Sequence, residues 1–583
     1  MTELDKKLIH LLQDGGLPPR KMMLIFRKIR GRFRGVPFDA IDLSNIQSHQ
    51  TEIEKDHDID QCLERFKTLQ RKVPGFFYTM EKDIENRVRN MFWVDAMCVM
   101  NYKLFREYIS FDTTFSTNKY NLPFVPIVGV NNHGSTVLFA VALLTDEKIG
   151  SFKWLLQTFL DAMGGKAPKT IITDQDKAMK RAILKVMPET RHRNCFYHIV
   201  TKMSQKEGSF FATHPGLSED LRYAAKNAFT PEEFETVWQN LIKKYGAKGE
   251  KHLNKLFRIR HRWVPAYFID DFFPFSSSTG RSESTNNMWK CYSQNTDTIT
   301  QFLAQYEVIQ DKCLNPLDKK KVKSTLKKAR TSTHHLFEKQ GLEAYTDDIF
   351  QKFQIELQNS TTFHYNGLMQ PGHIRVERAV YYEKMEFRRK YFDVFYNEEK
   401  KNFWCQCKKM KRDGIQCCHV IWALVLLGIR DLPESFIIPR WRKDTDLDLP
   451  TLGEDVDMDN AEEALRFAGA MTNMADICNL ACQNDRAYKV MQECMRDMKT
   501  RVMAELSEEV VSEEAATNVD NEKLHDPPIT RRKTTNRGSR PKPGSEKRCK
   551  TIRCGHCKVL GHNRTSCQTL KRQTEEADRA RNE

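Results

Sequence analysis

The chain has 583 residues, with 93 Lys+Arg against 77 Asp+Glu and a formal charge of +16. That length holds several folded units and at least one large core, which excludes a small module, and the positive balance favours a polyanionic partner. The longest apolar run, Val420 to Ile429, is about half the roughly 20 residues of a spanning helix, which excludes a membrane-spanning chain.

Met1 to Lys7 carries no secretory apolar segment, so the 16 Cys are expected as thiols in a reducing compartment. Cys/His clusters are accordingly read as zinc sites before disulfides. Residues 1–104 are polar and read as a helical and linker region, with the basic stretch Arg20 to Arg34 a solvated face. From Tyr108 short apolar runs alternate with helix-length segments, the texture of an α/β domain over 105–300. Tyr108 to Phe111, Phe124 to Val130 and Thr136 to Leu144 read as three antiparallel strands, the last two joined by the turn signal Asn131-Asn132-His133-Gly134. A helix is predicted from Ser151, as N-cap, to Met163, closed by Gly164-Gly165. Thr170 to Thr173 follows as a short buried strand, Asp176 to Val186 as a helix with Asp176 its cap, and Arg191 to Cys195 as a fifth strand.

Residues 199–275 read as a helical insertion, after which the domain resumes with a helix through Glu283. Residues 301–390 look helical, and Tyr391 to Asn397 with Asn402 to Cys407 reads as a hairpin opening a unit over 391–428. An acidic linker spans 444–463. In the helical stretch 464–515, Met491, Met495, Met498, Val502 and Leu506 alternate spacings of four and three, which suits a bundle helix or a dimerisation helix equally. Residues 520–550 read as a disordered basic tether leading to 551–570.

Three constellations carry chemistry. Asp112 at the end of the first strand, Asp174 just past the fourth and Glu283 on a helix beyond the insertion have the layout of an RNase H-like nuclease or transposase core. Such a core holds two Mg²⁺ ions about 3.5–4 Å apart on shared carboxylates, clamping the attacking and leaving phosphate oxygens. Each Asp also has a plainer reading as a turn former or cap. Cys405-x-Cys407, then nine residues, then Cys417-x-His419 supplies four soft ligands in two close pairs, which suits a closed tetrahedral structural zinc site, with Cys418 the non-ligand between. Cys554-x2-Cys557-x4-His562-x4-Cys567 is a CCHC zinc knuckle whose folding is coupled to its metal, a kind of module that grips single-stranded nucleic acid or a protein surface. A further pair, Cys195-x2-His198, offers two soft ligands, but two make no closed site and core packing is the plainer role.

Phe111-Asp112-Thr113-Thr114, Val128-Gly129-Val130-Asn131, Ala167 to Asp176, Arg191-His192-Arg193, Arg281-Ser282-Glu283-Ser284 and Ile438-Pro439-Arg440-Trp441 together resemble one family. It is the plant far-red impaired response / far-red elongated hypocotyl family, transcription regulators derived from Mutator-like transposases, and the resemblance runs over about 75–445. The resemblance implies that Asp112, Asp174 and Glu283 stand at the family's acidic positions, Cys195 and His198 at its Cys-x2-His element, and Cys405, Cys407, Cys417 and His419 in its SWIM-type zinc finger. Full-length members begin with a Cys/His DNA-recognition domain, and nothing before Cys62 supplies those ligands.

The expected architecture is therefore an RNase H-like transposase core with a helical insertion, a SWIM-type finger, a helical segment and a terminal knuckle. The expected function is a nuclear, zinc-binding, DNA-associated transcription regulator, similar to light-signalling members of the family, with enzymatic activity left open because the three acidic positions are retained. Two Zn²⁺ ions are expected per chain, with Mg²⁺ only if the core still cuts DNA. Expected partners are DNA and other family members, with neither membrane nor small-molecule substrate. The alternatives are an active Mutator-like transposase, and a competitor that titrates full-length relatives.

Overall fold

A computed structural model describes residues 17–443 except 31–35, 54–56, 311–329, 380–390, 398–401 and a few isolated positions, together with 484–509, 525–528 and scattered neighbours. The chain divides into two compact units, Met1–Thr530 and Arg531–Glu583, and all described residues belong to the first.

The central layer is a seven-stranded sheet of order β1-β2-β5-β4-β3-β6-β7. Its strands are β1 Phe77–Lys82, β2 Val88–Val94, β3 Tyr108–Phe111, β4 Phe124–Val130, β5 Thr136–Leu143, β6 Thr170–Thr173 and β7 Arg191–Asn194. β3, β4 and β5 pair antiparallel, as their runs suggested, whereas β6 and β7 add in parallel beside β3. Parallel neighbours need crossovers. The helices α1 Ala96–Phe105, α2 Ile149–Ala162 and α3 Lys177–Val186 line one face, α2 and α3 as those crossovers.

Both faces are covered, so the strands are apolar almost throughout and alternate residues enter different cores. Phe92, Ile109, Phe111, Val125, Ile127 and Ile171 face the α1–α3 layer. Met91, Trp93, Phe124 and Val141 face the opposite way, onto Trp289, Phe302 and Tyr306. Ile172 and Tyr108 meet a third cluster shared with the C-terminal half of this unit. The helices between β7 and residue 258, among them Leu217–Asn227 and Pro231–Arg258, keep a core of their own around Trp238 and Trp263.

A second, antiparallel sheet of order β11-β10-β9-β8 is built from β8 Phe363–Gln370, β9 His373–Arg378, β10 Tyr391–Asn397 and β11 Asn402–Cys405. It packs against the helix Cys418–Leu426, which in turn packs against the helix Asp347–Ser360. The segment Ile438 to Trp441 joins the two halves. Arg440 pairs with Glu107 and donates to the carbonyl of Val130 at 2.6 Å, while Trp441 is fully buried.

Four expectations change. The region before 105 is not only helical, because β1 and β2 form a hairpin that extends the sheet through β2–β5 pairing. Residues 363–378, expected as helix, form the β8–β9 hairpin: Ile374 and Val376 point inward between polar neighbours, the two-residue period of a strand. The helix expected to start at Ser151 starts at Ile149, because the Asp146 carboxylate accepts both the Lys148 amide and the Ser151 hydroxyl and sets the turn earlier. Within 520–550, read as a disordered tether, residues 525–528 are held. His525 bonds the backbone of Asn86 and Val88, and the Asp526 carboxylate accepts from the Ile59 amide at 2.9 Å and the Tyr120 hydroxyl at 2.7 Å.

Glu338 anchors the chain just before Leu336–Ala344. Its carboxylate accepts from the amides and hydroxyls of Ser332 and Thr333 and from Gln354, at 2.6–2.9 Å. Burial alone would raise its pKa, but these donors hold it down at about 2. With the folded value depressed, the stabilisation is present above the ordinary carboxylate range near 4.3 and is lost as pH falls from there toward 2. Glu338→Ala is expected to cost about 2 kcal/mol at pH 7, and markedly less at pH 3, read by denaturant unfolding at both values. An equal loss at the two pH values would contradict this.

Candidate functional sites

β3 and β6 are parallel neighbours with Ser110 opposite Ile172, so Asp112 and Asp174 leave the same sheet edge side by side. The helix α4 Phe196–Lys206 starts beyond β7 with Cys195 as its N-cap, which places His198 in its first turn. The helix α5 Gly280–Tyr292 is held against the sheet by a 2.7 Å hydrogen bond between the buried hydroxyls of Ser282 and Ser110, and by Asn286 donating to the Asp112 carbonyl. Glu283 thereby joins the two aspartates. Arg281, half-buried, donates to the carbonyl of Gly134 at 3.0 Å, which helps fix the first turn of α5 that carries Glu283.

His198 lies at the middle of this acidic centre. Its Nε2 is 3.8 Å from Asp112 Oδ2 and 3.7 Å from Glu283 Oε1, and its Nδ1 is 3.8 Å from Asp174 Oδ1. Lys202, one turn further along α4, holds Asp174 Oδ2 at 2.7 Å. Burial pushes the Asp112 carboxyl up to about 6, with His198 opposing and the charges of Asp174 and Glu283 adding to the rise. For His198 burial works downward, but the hydrogen bond with Cys195 and the facing carboxylates raise it to about 9. Burial likewise opposes ionisation of Cys195, yet hydrogen bonds from His198 and Thr279 leave the thiol below its ordinary value. Asp176 takes no part in this centre. It caps α3 by accepting from the Met179 amide at 2.8 Å.

The donor set suits a divalent cation in two ways. Asp112, Asp174 and His198 place one ligand atom each within 4.8 Å of the others, and so do Cys195, His198 and Glu283. The aspartates are the hard oxygens Mg²⁺ prefers, but an ammonium already occupies one lobe of Asp174. Thr279, Lys202 and Asn286 were not singled out in the sequence. Lys202 stands four residues after His198 on the same helix face, a spacing that could have flagged it. Nothing local flags Thr279 or Asn286.

The second cluster is buried. Cys405 ends β11, opposite Val394 of β10, and Cys407 follows in the turn, its amide donating to Cys405 Sγ. Cys417 is the N-cap of the helix Cys418–Leu426, and His419 sits in that helix's first turn. The four ligand atoms lie within 4.8 Å of one another, with Cys405 Sγ 3.5 Å from His419 Nδ1. Hydrogen bonds from Cys405 and Cys417 pull the Cys407 thiol well below its ordinary value, while burial pushes those two well above theirs. The imidazole stacks on Phe392 with centroids 3.6 Å apart, and its buried Nε2 has no partner among the described residues. Three thiols and an imidazole in one buried quartet fit a zinc ion of structural type. Cys418 lies outside the quartet, its amide donating to Glu356. The knuckle residues Cys554, Cys557, His562 and Cys567 lie outside the described residues, as do the acidic linker and the tether from 529 onward.

The profile of the MULE transposase domain matches residues 108–202, which contain Asp112, Asp174, Cys195, His198 and Lys202. Protein FAR1-RELATED SEQUENCE 5 of Arabidopsis thaliana is 31% identical over 442 residues, covering 75% of this chain and 55% of that protein. The chain is a relative of the far-red impaired response proteins. Protein FAR-RED IMPAIRED RESPONSE 1 of the same plant is 31% identical over 387 residues, covering 66% of this chain and 46% of its own, and Protein FAR1-RELATED SEQUENCE 2 is 32% identical over 391 residues, covering 67% and 48%. The chain thus spans about half the length of these far-red impaired response relatives. The likeness agrees with the motifs that suggested it.

Proposed function

We propose that this chain is a nuclear, zinc-containing, DNA-associated transcription regulator built on an RNase H-like transposase core. The observation that carries the reading is the compensation of the acidic centre by the protein's own cations. Lys202 is bonded to Asp174, and His198 lies within 3.8 Å of a carboxylate oxygen of all three acids. Two Mg²⁺ ions are held on shared carboxylates; here a fixed ammonium competes for one oxygen of Asp174. The names of the relatives and the MULE match support the same descent. The parallel β3–β6 edge carrying two carboxylates, with a third from a packed helix, supports the RNase H-like assignment. The quartet Cys405, Cys407, Cys417 and His419 is read as the SWIM-type finger with one zinc, and the knuckle as the second.

DNA contact is assigned to the basic chain as a whole, +16 in formal charge, so affinity depends steeply on salt. Zinc-loaded full chain, incubated with duplex DNA at near-physiological ionic strength, is expected to retain DNA and to leave it uncut when Mg²⁺ is supplied. Failure to retain DNA would overturn the reading. Cleavage that disappears in Asp112→Asn would instead establish the transposase reading, which the assembly of all three carboxylates on one centre favours. Import is assigned to the tether; a tagged chain lacking 531–550 that still concentrates in nuclei would remove that part.

A further inference from the structure

We infer that Cys195, His198 and Glu283 bind one thiophilic divalent cation, zinc before others, at the rim of the acidic centre. Three observations carry it. The ligand atoms converge: one from each residue lies within 4.8 Å of the other two, and His198 Nε2 is 3.7 Å from Glu283 Oε1. With metal–ligand bonds of roughly 2.0–2.3 Å, neighbouring ligands on a tetrahedral zinc stand about 3.3–3.8 Å apart.

Next, one buried residue orients all three ligands. The Thr279 amide donates to Cys195 Sγ at 3.3 Å, its hydroxyl donates to Glu283 Oε1 at 3.0 Å, and the same oxygen lies 3.2 Å from His198 Nδ1. With Nδ1–H donating to Thr279, the Nε2 lone pair points to the side where Glu283 lies. Metal-binding imidazoles are fixed in this manner by a partner on the other ring nitrogen. Thr279 is fully buried, so its position is set by packing and does not depend on a ligand being present.

The donor set also discriminates. Thiolate, imidazole and one carboxylate select zinc, cobalt or iron(II) over Mg²⁺, which seeks oxygens and keeps its waters. Three protein ligands leave a fourth position open, unlike the closed quartet at Cys405. Asp112, whose Oδ2 lies 3.8 Å from the same Nε2, can hold a water at that position by hydrogen bonding, whereas Asp174 lies on the Nδ1 side of the ring. Loading displaces the protons of Cys195 and His198, so the ion replaces the positive charge that His198 otherwise supplies to the acids.

The inference stands on ligand geometry and not on the regulatory reading, so DNA retention and metal content fail independently. The test is the metal content of the full chain, purified without chelator and dialysed against zinc-free buffer. Cys195→Ser and Glu283→Gln are each expected to carry one zinc equivalent less than the parent chain. Glu283 is partly exposed in the first turn of α5, so its variant keeps the fold if the cysteine variant does not. Cobalt-loaded protein supplies a second readout: the thiolate-to-cobalt absorption is expected to fall in Cys195→Ser and the ligand-field band to shift in Glu283→Gln. Equal zinc content in all three proteins overturns the assignment, as does a loss confined to the cysteine variant with the Glu283→Gln spectrum unchanged.

Discussion

Removing the zinc proposed for the Cys405–His419 quartet, by chelator or by Cys407→Ala, is expected to release the module 391–436 from the rest of the protein. The three thiols and the imidazole are buried, and together they join the end of the β10–β11 hairpin to the start of the helix Cys418–Leu426. Without metal, the buried His419 Nε2 has no partner among the described residues. An unsatisfied buried polar group costs about 1–3 kcal/mol, and structural zinc contributes apparent binding free energy on the order of 10 kcal/mol in small modules. Here Phe392, Val394, Ile421 and Leu424 add an apolar core to the same module, so partial structure survives. The expected outcome is a lower Tm and new cleavage within 391–436 on limited proteolysis, with the α1–α3 side of the central sheet still protected. A proteolysis pattern indifferent to chelator would show that apolar packing alone holds the module.

Trp441→Ala is expected to cost about 3–5 kcal/mol, the range for deleting a fully buried large aromatic side chain. The indole is completely buried, donates from Nε1 to the Asp413 carbonyl at 3.0 Å and lies against Phe275 with centroids 5.5 Å apart. Its backbone carbonyl accepts from the Thr346 amide, which ties the join to the start of the helix Asp347–Ser360. Gly414, at φ +75°, lets the ring approach, since a Cβ there would fall 2.5 Å from Nε1. Trp441→Ala should therefore cost more than Trp441→Phe, and Gly414→Ala should be less damaging in the Trp441→Ala background than alone, because both changes act on one contact. Additive losses in denaturant unfolding would show that the two residues do not share that contact.

The readings made from the chain alone succeeded where ligands or strands are close in sequence. Cys405, Cys407, Cys417 and His419 fall within one hairpin and one helix start, so their spacing specifies how they converge with little help from the rest of the fold. β3, β4 and β5 are successive antiparallel strands in which every turn is local. The β8–β9 hairpin escaped notice because its inward positions, Ile374 and Val376, are a short alternation beside a long helix. The β1–β2 hairpin joins the sheet through β2–β5 pairing, and β5 comes from a distant part of the chain.

Sequence alone determined the chemical inventory: which acids, thiols and imidazoles exist, which of them pair at short range, and the family the motifs resemble. Only the tertiary structure decided what surrounds the acids. The parallel β3–β6 pairing brings Asp112 to Asp174, the Ser110–Ser282 bond seats α5 with Glu283, and the start of α4 turns His198 and Lys202 onto all three. Thr279, which touches Cys195, His198 and Glu283, carries no motif of its own. The physical reason is range. Spacing encodes contacts closed by a turn or a helix, whereas a centre assembled from two strand ends and two helices depends on sheet order and packing, which no short stretch of residues specifies.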